Sequence, residues 1–342
     1  MSPSRFAVVG SGWRAEYFFR IAATRPDRFE IPAVAVRREE EIERLSIEHG
    51  LDALIDSRRL DELELDFVVV ATAPETNADV CEELVERGYA VLLETPAGID
   101  DEQLDRMAKL ASAGARVQVA EQYRYQPLLA ARLAVIESGR LGPITSAHMS
   151  VAHGYHGMAL LRAALGVGID EYEIHTQVHE STITRGPGRD GPPTANELDP
   201  STRTVALISF GDQLGIYDWS DDQYFSWIRS LRFAARGERG ELDGYTARYL
   251  LDSGEPVEQS LRRWDTGLEG NLETPGHRGY LLGDDWVYRN PFPNDRFSDD
   301  EIAVATVLNH MAEYVATGEQ FYSLADSVHD TRLAHRIRDF RG

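Results

Sequence analysis

FAVVGSGWRA (6–15) joins a short apolar run to a glycine-rich turn. Phe6 to Gly10 carry no charge, as expected of a strand buried on both faces. Gly10, Gly12 and Ala15 then follow the spacing G-x-G-x-x-(G/A), with Trp13 and Arg14 between the last two. Glycines so placed allow a tight turn and close backbone approach to a pyrophosphate. The helix beyond them offers free N–H groups and the positive end of its dipole. Tight strand-to-helix turns need glycine on steric grounds alone, so the pattern gains weight only from its surroundings. Reading outward, a helix runs from Trp13 to about Thr24, IPAVAV (31–36) is a second strand, and EEEIERLSIEHG (39–50) has helical spacing closed by glycine. DFVVVAT (66–72), YAVLLE (89–94) and RVQVAE (116–121) are further strands. Helices separate them: Asn77 to Arg87, stopped by Gly88, and one opened by Asp100 with Gln103 and running through Ser112. Strands alternating with single helices imply a doubly wound parallel α/β sheet over residues 1–125.

After Pro127 the pattern changes. A helix (127–138) ends at Gly139, and GPITSAHMSVAH (142–153) reads as a strand. Extended runs follow at 172–185, 202–210, 213–219, 227–235 and 241–250, with a polar Gly/Pro-rich loop at 186–200. Strands in succession indicate an α+β domain with a mostly antiparallel sheet over residues 126–342. Ser298 with Glu301 opens a helix to about Thr317, and a last helix covers 324–339.

Composition narrows the function classes. A formal charge of -22 opposes binding to a phosphate backbone, so no nucleic-acid partner is expected. No apolar run spans a bilayer, the first strand begins too early for a signal peptide, and Cys81 is the only cysteine. A cytoplasmic protein without disulfides or a membrane partner is the expectation. Lys109 is the only lysine among 35 basic residues.

The end of the second strand should meet the adenine ribose. An Asp or Glu there accepts hydrogen bonds from the 2′-hydroxyl. This chain has Arg37 and Arg38, which suit a 2′-phosphate, so the cofactor expected is NADP, with NAD second. The competing reading is a solvated pair balancing Glu39, Glu40 and Glu41. VLLETPAG (91–98) carries Glu94 and Thr95 to the carboxyl end of a buried strand, where Pro96 forces a turn.

Together these stretches resemble the glucose–fructose oxidoreductase/inositol dehydrogenase/MocA family. GSGWRA (10–15) is similar to its glycine motif, and ATAPETN (71–77) to the ATPPxxH stretch beside the cofactor. The second match involves Thr72, Ala73 and Pro74, with Asn77 in the histidine's place. VLLETPAG resembles a strand ending in Glu-Lys-Pro. VAEQYRYQP (119–127) resembles the segment in which an Asn or Gln meets the nicotinamide, placing Gln122, Arg124 and Pro127. GRLGPI (139–144) and ARGERGEL (235–242) resemble the second domain's entry and its G-x-x-G-x-L turn. The resemblance implies a Rossmann domain followed by a large open-faced antiparallel sheet, with a homodimer or homotetramer formed through that sheet. It also implies hydride transfer at nicotinamide C4, to or from a small sugar or polyol.

Against that pattern the acid/base set is altered. Thr95 stands where the resemblance places a lysine, and a hydroxyl donates a hydrogen bond without serving as a neutral-pH acid. AHGYHGMALLRAALG (152–166) keeps His156 of an Asp-x-x-x-His-x-x-Asp pattern but has Ala152 and Ala159 at the aspartates. The remaining candidates for catalysis are His156, Tyr123 and Thr95, and for substrate contact Tyr123, Arg124, His153, Tyr155 and His156. Each has a plainer reading: His153 a surface residue before a glycine, His156 a helix-start histidine, Tyr123 a core aromatic. His175 and His179 share one face of an extended run without a carboxylate partner, so no metal site is expected. Three functions remain: an oxidoreductase acting on a carbonyl, imine or sugar-like substrate, a nucleotide-binding sensor without turnover, and a redox-neutral lyase or hydrolase with transient hydride transfer.

Overall fold

The computed structural model describes residues 2–54, 57–188, 191–267 and 276–339. The chain divides into two compact units. The first contains the residues before Pro127 together with Pro291–His329, and the second contains most of 127–290 and the residues after His329.

In the first unit, β1 (Ser4–Val9), β2 (Phe29–Glu30), β3 (Val34–Ala35), β4 (Ala53–Leu54), β5 (Phe67–Val70), β6 (Val91–Leu93) and β7 (Val117–Val119) pair in parallel throughout. The connecting helices are α1 (Ala15–Thr24), α2 (Glu40–His49), α3 (Pro74–Glu86) and α4 (Asp101–Ser112). Strand order is β4-β3-β1-β5-β6-β7, with β2 beside β1, so the order reverses at β1. That reversal opens a crevice beyond the carboxyl ends of β1 and its neighbours. Phe67 to Val70 are all fully buried, and burying each such side chain is worth roughly 1.5–3 kcal/mol. IPAVAV yields only two paired residues, because Pro32 has no N–H to give the ladder. The third helix starts at Pro74 rather than Asn77, with proline in its first turn where no N–H is needed.

The second unit begins with α5 (Pro127–Glu137), β8 (Ile144–Ser150) and α6 (Gly154–Leu165). Nine strands follow: β9 (Glu173–Thr184), β10 (Leu198–Phe210), β11 (Gln213–Ser220), β12 (Arg232–Gly237), β13 (Gly240–Asp243), β14 (Thr246–Leu250), β15 (Pro256–Asp265), β16 (His277–Leu282) and β17 (Asp285–Arg289). With β8 they form one ten-stranded sheet in the order β17-β16-β15-β14-β13-β12-β8-β11-β10-β9. Only the β8–β11 pair is parallel. The run at 241–250 is two strands, split by a turn at Gly244. Residues 227–231, expected to be extended, precede β12 as an exposed segment bearing Trp227 and Leu231.

One face of this sheet packs on α6. Ala206, Ile208 and Phe210 lie on that covered face and are buried. Register puts Val205, Leu207 and Ser209 on the opposite face, where Leu207, Leu214, His175 and His179 are exposed. Asp218 is buried on that face under Arg203, which donates to it twice, at 2.7 and 2.6 Å. Burial works to raise the Asp218 pKa, but hydrogen bonds from His148 and Arg203 hold it well below the usual carboxylate range.

The last helices divide the chain differently from the 1–125 and 126–342 expectation. The Ser298–Glu301 capping box opens α7 (Asp299–Thr317), whose Val304, Ala305, Leu308 and Met311 join Phe6 and Phe18 in the first unit's core. The segment 291–329 therefore belongs with the first unit, because its apolar residues are buried there. A final helix, α8 (Leu324–Asp339), contributes Asp330 to the second unit, and Asp330 forms a buried ion pair with Arg162 of α6 at 2.8 Å.

Candidate functional site

The first unit's crevice is a cavity of about 810 Å3. Gly10, Ser11, Gly12 and Arg14 line it from the β1–α1 turn, and Thr72 and Ala73 from the end of β5. Gly10 has φ +116, and a Cβ there would lie 2.2 Å from the Ala71 carbonyl oxygen, so the turn excludes every other residue. A Cβ on Gly12 would meet nothing within 4 Å. Arg37 and Arg38 line the far end. Arg38 donates to Glu41 at 2.8 Å and lies 3.2 Å from Glu40, whereas Arg37 is exposed and makes no ion pair among the described residues. Glu41 also lines the cavity, a feature the sequence reading did not single out. The Ser11 hydroxyl and the guanidinium of Arg44 hold its carboxyl below the usual range. Arg44 also donates to the Ser11 carbonyl at 2.9 Å and so fixes the glycine turn from below. Arg44 is likewise the cation between Glu16 and Glu48, 2.9 Å from each, beside His49.

A second set gathers at the ends of β6 and β7. Glu94 is buried, and Arg14 Nε donates to its Oε1 at 2.7 Å. Burial works to lower the Arg14 pKa, but the Glu94 carboxylate outweighs it and the value is raised. Asn77 is buried too. It accepts from the Thr72 hydroxyl at 2.8 Å and donates to the Glu94 carbonyl at 3.3 Å, tying three chain segments together. Thr95 is half-buried, and its N–H donates to the Glu94 carboxylate at 3.3 Å. Two buried polar atoms here have no hydrogen-bond partner among the described residues: Arg14 Nη2 and Gln122 Oε1. Tyr123 and Arg124 follow Gln122 in a short helical turn, half-buried, with the Tyr123 N–H held by the buried Glu121 at 3.0 Å. Trp13 is exposed against Tyr17, and Ala15 is buried in α1, so neither lines the cavity. Pro74 sits in the first turn of α3.

In the second unit, His153, Tyr155 and His156 come together where α6 begins. His153 stacks edge-on to both neighbours at 5.3 and 5.1 Å, and Tyr155 lies 4.4 Å from His156 between ring centroids. The Tyr224 hydroxyl accepts from the His153 N–H at 3.1 Å and lies 2.8 Å from Nδ1, which fixes the ring. The Tyr217 hydroxyl accepts from the Gly154 N–H at 2.8 Å and so satisfies a free donor of the helix start. Gly157 has no Cβ because the Tyr217 ring would lie 2.6 Å from it. A cavity of about 220 Å3 adjoins this cluster, lined by His153, Tyr155, Thr204, Trp219, Asp221, His335 and Arg338. His156 is buried and does not line that cavity. Ala152 and Ala159 are buried methyls and give it no carboxylate. Tyr217, Trp219, Tyr224, His335 and Arg338 were not anticipated. Only the period-two aromatics of YDW (217–219) offered a local signal.

The family model described as "Oxidoreductase family, NAD-binding Rossmann fold" (GFO_IDH_MocA) matches residues 4–121. Over 244 residues the chain is 32% identical to inositol 2-dehydrogenase 2 of Saccharopolyspora erythraea, covering 66% of this chain and 70% of that protein. The chain belongs to the Gfo/Idh/MocA oxidoreductase family. Inositol 2-dehydrogenase of Rhizobium meliloti is 26% identical over 145 residues, or 41% of this chain and 42% of that one. Solved oxidoreductase structures share the fold across nearly the whole chain. An oxidoreductase domain protein from Kribbella flavida superposes with TM-score 0.68 at 15% identity, covering 99% of this chain and 97% of that one. An oxidoreductase from Agrobacterium radiobacter, in complex with NAD+, L-tartaric acid and magnesium, gives 0.64 at 15% identity, covering 98% and 95%. No helix among the described residues is long and apolar enough to cross a membrane.

Proposed function

We propose that the chain is a nicotinamide-dependent oxidoreductase that prefers NADP, takes a small carbonyl, imine or sugar-like substrate, and moves protons without a strand-end lysine. The observation that carries this reading is the crevice at the sheet's point of reversal. It has a glycine turn at its centre, an Arg37 guanidinium without an ion pair among the described residues at one end, and Arg14 in its lining, whose Nη2 is buried and unpartnered. Gln122 Oε1, which follows β7 outside the cavity's lining, is likewise buried and unpartnered. Those atoms suit a ligand rich in acceptors and amide groups. The glycine turn and the start of α1 would hold a pyrophosphate, Arg37 a 2′-phosphate, and Gln122 a carboxamide. When bound, the nicotinamide supplies or accepts a hydride at C4.

The proton must then come from this chain's side chains. His156 is the candidate acid/base, because an imidazole can both take up and give back a proton, with Tyr123 and Thr95 as hydrogen-bond donors. Lys109, the only lysine, is exposed on α4 and offers no substitute. The named relatives are inositol dehydrogenases, which makes a polyol the first substrate to test. Thr95, Ala152 and Ala159 argue for a substrate needing less acid/base help, such as a protonated imine. The same buried alanines favour a second reading, a dinucleotide-binding sensor that does not turn over. NADPH and NADH fluorescence titrations, followed by consumption in the presence of carbonyl and imine compounds, separate the two. Binding with consumption supports the enzyme, binding without it supports the sensor, and no binding removes both.

We also propose a homodimer or homotetramer formed through the exposed sheet face carrying Leu207, Leu214, His175 and His179. Sedimentation at micromolar concentration tests it, and a monomeric mass would count against it.

A further inference from the structure

The phosphate argument makes no use of the Arg14 side chain, which leaves the glycine turn and runs to a different strand end. Its Nε donates to Glu94 Oε1 at 2.7 Å, and its Nη2 is buried with no hydrogen-bond partner. Glu94 is 4% exposed, so both charges of this pair sit largely out of water. A guanidinium keeps its proton in such a place, because its pKa lies far above any working pH.

Sheet order shows which part of a dinucleotide would meet this pair. Glu94 follows β6, and β5 lies between β6 and β1. Arg37 follows β3, on the other side of β1. A dinucleotide laid across the reversal therefore has its adenosine half toward Arg37 and its other half toward Glu94. Gln122, which follows β7 beside β6, adds a buried unpartnered acceptor on that same side.

We propose that Arg14 and Glu94 form the electrostatic floor of the nicotinamide half of the site. Arg14 is a positioning residue that supplies the fixed positive charge, and Glu94 neutralises it. Together they keep that floor close to neutral, so that the oxidised and the reduced ring are both admitted. The inference rests on the nicotinamide-dependent reading above. An oxidised nicotinamide ring carries a positive charge and the reduced ring carries none. A guanidinium stripped of its counter-charge repels the first and spares the second. An ion pair that only tied α1 to β6 would alter stability, or both affinities alike, and leave their ratio unchanged.

The test titrates wild type, Glu94→Gln and the Arg14→Met/Glu94→Gln double variant with NADP+, NADPH and ADP-ribose. ADP-ribose lacks the nicotinamide and reports whether the adenosine half is intact. In Glu94→Gln the NADP+ to NADPH dissociation-constant ratio should rise by on the order of tenfold. ADP-ribose affinity should stay within about twofold, and the double variant should return the ratio to within about threefold of wild type. An unchanged ratio in Glu94→Gln, or a shift that removing Arg14 does not reverse, would overturn the proposal alone. Failure of the wild type to bind any of the three ligands would take down the cofactor reading and this inference with it.

Discussion

The two candidate sites, one in each unit, are built from different materials. In the first unit, the centre of the crevice is backbone: Gly10 pressed against the Ala71 carbonyl, Gly12 with open space beside it, and the start of α1, which no side chain caps. In the second unit the polar cluster is made of side chains gathered from separate elements, with His153, Tyr155 and His156 at the start of α6, Tyr217 and Trp219 on β11, and Tyr224 beyond it. Backbone sites are set by topology and tolerate little change. Side-chain sites can be rebuilt one residue at a time, and Ala152 and Ala159 are what such a rebuilding would leave.

If the two clusters are separable in this way, substitutions in one should spare the other's task. The largest effect belongs to His156→Ala, which should cut turnover by roughly 10²–10⁴ while leaving NADPH binding intact. Equal kcat in the variant and the wild type, measured on the same substrate, would take His156 out of the proton path. Next is Gly10→Ala, which forces φ +116 on a residue with a Cβ and drives it against Ala71. A loss of roughly 2–3 kcal/mol of stability is expected in chemical denaturation. A neutral result would mean that the turn relaxes more freely than this packing implies.

A smaller effect sharpens the contrast within the crevice itself. Arg37→Ala should erase a NADPH-over-NADH preference of roughly 10- to 100-fold. Arg38→Ala should change it by less than about threefold, because Glu40 and Glu41 already engage that guanidinium. Equal losses at the two positions, read by the same titration, would show that the Glu41 pairing opens on binding. The smallest effect is at Cys81, buried in α3 with its thiol pushed up to about 12. A thiol reagent near pH 8 should leave the native chain unmodified and react once it is unfolded.

How far the sequence reached follows the same division. The parallel sheet was legible because FVVV (67–70) and its neighbours are apolar runs set between helices. The glycine turn was legible because its steric demand falls on single residues. Capping at Ser298 was written in a four-residue pattern, although the membership of that helix in the first unit was not, since long-range packing decides it. The second sheet was only partly legible. β15, β16 and β17 were missed, and the 227–235 run was right only from Arg232 on, because Trp227, Ile228 and Leu231 look like strand residues but stand exposed before β12. Glu41 entered the sequence reading only as a counter-charge to Arg37 and Arg38. Its role beneath the glycine turn depends on Arg44, four turns of argument away from any motif but only three residues away on one helix face. The partners of His153 could not be found locally, because Tyr224 lies 71 positions on.

The central claim is that this chain holds a nicotinamide cofactor without the acid/base set of ordinary polyol oxidation. The most direct measurement is the initial rate of NAD+ and NADP+ reduction by myo-inositol, for wild type and for Thr95→Lys. The account predicts no sustained reduction by either. The hydroxyl of Thr95 cannot replace an ammonium, and a lysine added alone still lacks carboxylates at Ala152 and Ala159 to hold His156. Sustained reduction by the wild type would contradict it.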